Sequence, residues 1–80
     1  MNETPITELT YGEKAVGLTF NPSNNEDVNK VKKLYAEVID LCNNLLPTQA
    51  PSEKARLFKI AITEAQTAQM WAVKAITWDN

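Results

Sequence analysis

Residues 53–78 read EKARLFKIAITEAQTAQMWAVKAITW, without a Gly or a Pro and rich in good helix formers. This stretch predicts one helix of about seven turns. Ser52 stands in front of it as a cap, and Glu53 complements the positive end of the helix dipole. Phe58, Ala61, Ala65, Ala68, Ala72 and Ala75 form a seam of period 3.5, whose alanines let a partner backbone come close. Leu57, Ile60, Trp71 and Trp78 flank the seam on one side, and Ile62, Val73 and Ile76 flank it on the other. A helix apolar over so much of its circumference is buried on several sides. One partner helix cannot cover it, which points to an oligomer.

What stays polar on this helix is a narrow stripe. Lys59, Thr63, Gln66, Thr67, Lys74 and Thr77 share one face by their spacing, with two cations and no acid among them. Such a stripe is ordinarily a solvated helix face. Copied around a symmetry axis, it would instead line a basic, hydroxyl-rich pocket suited to a phosphate-bearing ligand. Trp71 and Trp78 are, on the same footing, core or interface anchors before they are base-stacking platforms.

Upstream, Pro47 and Pro51 bracket a short connection, Thr48-Gln49-Ala50-Pro51, which favours antiparallel neighbours. Before it Val28, Val31, Tyr35, Val38, Cys42 and Leu45 recur at helical spacing, widened by Leu34, Ile39, Leu41 and Leu46. Ser23 with Glu26 fits a capping box, so a helix is expected over 24–46. Lys30, Lys32 and Lys33 would usually be surface charges on it. Residues 1–22 carry both glycines, and Ala15-Val16-Gly17-Leu18-Thr19-Phe20 reads as an extended arm or short strand that breaks at Asn21-Pro22. The expected fold is all-α, an antiparallel two-helix hairpin with an extended N-terminal arm, in one domain over 1–80 with its second helix over 52–78. The protomer is expected to assemble as a homo-oligomer.

Composition narrows the function. The chain has 80 residues, one cysteine, Cys42, and no histidine. A domain this small buries a modest share of its surface. Neither an intramolecular disulfide nor a Cys/His zinc site is available to it, so partner chains are the remaining support. No apolar run approaches the ~18 residues of a membrane span, and Met1-Asn2-Glu3-Thr4-Pro5 lacks the marks of a signal peptide, so a cytoplasmic location is expected. A net charge of −2 argues against a duplex DNA or RNA binder, though not against a small anionic ligand held by a few placed cations. No catalytic constellation is visible: no histidine for a triad, no Walker loop and no dinucleotide turn. Glu37, Asp40 and Glu64 have no spacing that favours an acid–base pair, and Cys42, set in the apolar seam, reads as a buried thiol. A binding protein without cofactor or metal is expected, not an enzyme.

Residues 17–23, GLTFNPS, residues 31–37, VKKLYAE, and the run from Arg56 to Trp78 resemble the phage anti-CBASS cyclic-oligonucleotide sponges, in the form carried by T4-like phages. The resemblance spans about residues 17–78, and its most specific part runs from Thr63 through Gln66 and Met70 to Lys74 and Ala75. It implies a helical-hairpin protomer in a hexamer built as a trimer of dimers, in the cytoplasm of a host bacterium. It implies sequestration of cyclic di- and trinucleotide immune messengers without cleavage, so that defence effectors stay inactive. By the same resemblance Phe20 and Lys32 match a dinucleotide site, with Tyr11 and Lys33 as competitors. Lys59 and Thr63 match a trinucleotide site, to which the stripe adds Thr67 and Lys74. Lysine at position 59 keeps a phosphate-binding charge without the bidentate fork of an arginine. The rival expectation, from the residues alone, is a helical oligomerisation or protein-binding module without a nucleotide ligand.

Overall fold

In the computed structural model, residues 8–48 and 52–79 are described. Residues 1–7 of the expected arm and 49–51 of the expected connection lie outside them. The described chain is all-helical: α1 spans Tyr11–Ala15, α2 Glu26–Asn44 and α3 Glu53–Ile76. Helix α2 packs against both α1 and α3. The protomer is flat, 44 × 41 × 13 Å along its principal axes.

From residue 8 onward the arm is not extended. Thr10 accepts from the Glu13 amide, and the Glu13 carboxylate accepts from the Thr10 amide, a complete capping box that starts α1. After α1 the chain turns instead of forming a strand. Gly17 takes φ 63°, a left-handed conformation glycine adopts without strain, and the Leu18 and Phe20 amides bond back to Glu13 and Gly17. The apolar character that suggested a strand serves packing: Val16 is buried with Ala36, Ile39 and Ile62 in the core.

Helix α1 sits close on α2 because Gly12 has no side chain. A Cβ there would fall 2.2 Å from the Ala36 carbonyl oxygen. The approach lets the Gly12 amide donate to Asp40 Oδ1 at 2.7 Å, so the orphan donor of a helix start is satisfied from the neighbouring helix.

The caps partly follow expectation. Ser52 Oγ accepts from the Ala55 amide and starts α3. On α2 the cap is Asn25, not Ser23: its side chain accepts from the Asp27 and Val28 amides, and Glu26 is then the first helical residue instead of the far member of a capping box. Asn21 fixes the entry by bonding both backbone groups of Asn25. Helix α2 ends at Asn44 and α3 at Ile76, each two residues short of its expected end.

The buried faces are rotated from the expected seams. On α2 the inward residues are Val28, Lys32, Ala36 and Ile39, while Val38 and Leu45 of the expected seam are exposed together with Leu34 and Leu41. On α3 the inward residues are Ile62 and Gln69, with Ala65 packed against the core, while Ala61 and Ala75 face outward. Both helices have more apolar positions than one interface needs, and the close seat of α1 on Ala36 fixes which of them turn in. Trp71 and Trp78 are 65% and 63% exposed, so neither anchors the protomer core.

Candidate functional site

Two of the residues singled out by sequence come together where the turn after α1 meets the helices. Lys32 is 4% exposed, in contrast to the surface position expected of it. Its Nζ donates to the Gly17 carbonyl at 2.9 Å and to the Phe20 carbonyl, pinning the turn between them. The same Nζ lies 5.5 Å from the centre of the Phe20 ring, within cation–π range. Burial pushes the Lys32 ammonium below the ordinary lysine range. An ammonium carries three donors, so a single N–H remains beyond the carbonyls. Phe20 itself is 72% exposed, which leaves its ring open as a flat platform.

Phe20 stands between two grooves that share it with Lys32 and Val73. One adds Pro22, Val28 and Thr77, bringing the start of α2 and the end of α3 together. The other adds Gly17, Gln69 and Met70. Tyr11 and Lys33 are both exposed and line neither groove.

The second set lies near the start of α3. Lys59 and Thr63 line one shallow groove together with Arg56, Ile60 and Glu64. Arg56 is a lining residue not singled out from the sequence. The available signal was its place one turn before Lys59, on the polar stripe. It holds Glu53 through Nε at 2.9 Å and Nη2 at 2.6 Å. The pair keeps the Glu53 carboxyl below its usual range and raises the guanidinium further. Both side chains are well exposed, so the pair adds little to stability. Thr67 follows one turn after Thr63 and donates to the Thr63 carbonyl at 3.2 Å.

Lys74 does not join this group. It sits 5.6 Å from the Trp71 ring and 6.0 Å from the Trp78 ring. At a rise of about 1.5 Å per residue, its backbone is roughly 22 Å from that of Lys59. The stripe is therefore two features of one protomer: a Lys59–Thr63 groove and a Lys74 ammonium set among indoles.

Among the described residues no cluster of His, Cys, Asp and Glu could hold a metal ion, and no helix is long and apolar enough to cross a membrane. The three grooves each have a lysine in their lining, and two of them share the exposed aromatic face of Phe20. A family model described as Acb2/Tad1, hairpin domain, matches residues 13–77. No curated protein and no solved structure matches the chain.

Proposed function

The chain belongs to the Acb2/Tad1 hairpin family, and from that premise we propose that it is a sponge for cyclic di- and trinucleotides that keeps bacterial CBASS effectors inactive during phage infection. Family membership implies phage anti-defence by sequestering cyclic nucleotides. The observation that carries the finer reading is the exposed Phe20 ring beside the buried Lys32 ammonium. A nucleobase offers a flat face to such a ring, and a phosphate takes the remaining Lys32 N–H. Dinucleotides are assigned to this groove, with Tyr11 and Lys33 as the competing residues. Trinucleotides are assigned to Lys59 and Thr63, where copies of one lysine around a threefold axis match successive phosphates. Thr67 extends that groove, and Lys74 binds at its own end of α3.

The assembly proposed is a hexamer, a trimer of dimers of antiparallel hairpins, in the host bacterial cytoplasm. Its support is the outward apolar surface of both long helices: Leu34, Val38 and Leu41 on α2, and Leu57, Trp71 and Trp78 on α3. Contiguous apolar surface on a small protein marks an interaction site. That same surface favours a second reading, a helical module that binds another protein and takes no nucleotide.

Isothermal titration with a cyclic dinucleotide and a cyclic triadenylate separates the two, read for stoichiometry and followed by heat release of the ligand. A sponge takes up one dinucleotide per two chains and one trinucleotide per three, and returns both intact. Absence of heat with either ligand rejects the sponge and leaves the protein-binding module.

A further inference from the structure

Gln69 is the one buried polar side chain besides Lys32 among the described residues, at 5% exposure. Lys32 has its partners in the carbonyls of Gly17 and Phe20. The Gln69 amide makes no hydrogen bond to any described residue. A buried amide without partners costs free energy that a Leu or Met of similar size would not. Its surroundings give no packing reason for the amide: Ile62 and Ala65 follow the same inward face of α3, and Val16 lies in the same core. Gln69 lines the groove that also holds Gly17, Phe20, Lys32, Met70 and Val73.

We infer that Gln69 reads the edge of the nucleobase that stacks on Phe20, and that its preferred base is adenine. The inference rests on the sponge reading of this groove. The amide presents two N–H donors and one carbonyl acceptor in a plane, all of them unmet here. A phosphate oxygen would satisfy only the donors and leave the acceptor bare. A base edge with a neighbouring donor and acceptor satisfies both sides at once. Adenine offers that pair as N6–H and N7, the edge glutamine reads in two hydrogen bonds. Guanine offers N7 and O6 on the same edge, both acceptors, and its O6 would face the amide oxygen. The roles then divide by chemistry: Phe20 supplies the face contact, Lys32 the charge, and Gln69 the base identity.

The test compares the full-length wild type with Gln69→Met and Gln69→Glu, each titrated with cyclic di-adenylate and cyclic di-guanylate. Gln69→Met should lower adenylate affinity about tenfold and guanylate affinity much less. Gln69→Glu, which only accepts, keeps the bond from adenine N6–H but loses the one to N7, so it should also lower adenylate affinity without favouring guanylate, whose N7 and O6 both accept. In the wild type, the side-chain NH2 resonances of Gln69 should shift on adding cyclic di-adenylate, a readout that needs no variant to fold. Unmoved resonances overturn the inference, as does an equal loss for both ligands in Gln69→Met. Those results leave the sponge intact, because the wild type still binds. A wild type that binds neither dinucleotide defeats the sponge reading of this groove, and the inference falls with it.

Discussion

Lys32 carries more of the structure than its place in a lysine-rich stretch suggests. Two carbonyls of the turn close on its ammonium, and hydrogen bonds from a charged donor are worth about 1.5–3 kcal/mol each. Lys32→Met keeps the stem packed and removes the donors. It is expected to lower stability by about 1–3 kcal/mol in denaturant titration, and to open the Gly17–Phe20 turn to limited proteolysis. Lys59 is exposed and bonds to no other described residue, so Lys59→Ala should leave the melting temperature unchanged. It should abolish trinucleotide binding and spare dinucleotide binding. Phe20→Ala should do the reverse, costing the dinucleotide about 1–3 kcal/mol. Calorimetry on both variants checks the crossed pattern, and equal loss of both ligands would refute separate pockets. Sequence alone could not sort Lys30, Lys32 and Lys33 into solvated and buried, because the distinction depends on where a distant turn places its carbonyls. That Lys59 and Thr63 share one groove was legible because one helix of regular geometry sets their spacing.

At the scale of elements, the helices were legible where capping and composition agree. Ser52 before a long run free of Gly and Pro is a local signal, and α3 starts there. The start of α2 misled because Ser23 and Glu26 imitate a capping box, while Asn25 has the better geometry with Asn21 holding it in place. Helix α1 was missed because five residues give no periodicity, and its Gly12 reads locally as a helix breaker. Its stability comes from contact with α2, which the sequence around it does not reveal. Gly12→Ala makes the point measurable. The added methyl would meet the Ala36 carbonyl at 2.2 Å, so α1 must lift and the Gly12–Asp40 hydrogen bond must stretch. A destabilisation of about 1–3 kcal/mol is expected by chemical denaturation. At an exposed helix site the same change stabilises by about 1 kcal/mol, so the sign alone decides whether the close approach exists.

For the whole molecule, the apolar excess of α3 was visible in sequence, and the structure leaves it outside. Trp71 and Trp78 on α3, with Val38 and Leu41 on α2, are all at least half exposed. The direction of each seam was not legible, since periodicity fixes spacing and not which of two adjacent apolar rows turns inward. Val38→Glu and Trp71→Glu test what the outer rows do. Each should leave the helical circular dichroism of concentrated protein largely intact and shift sedimentation toward smaller species. An unchanged sedimentation coefficient for both would remove these faces from the assembly.

A body 44 Å long, 41 Å wide and 13 Å thick has little interior, and among the described residues Ile39 is the one large side chain wholly shut away from water. In the assembly proposed above, folding of such a plate is tied to how much of it is present. Association favours the folded state by mass action, so the melting temperature rises with concentration. Dilution should lower the midpoint progressively, and saturating nucleotide should restore it without added protein. The plate would thus register its own abundance, accumulating as folded material only once enough copies exist to cover one another.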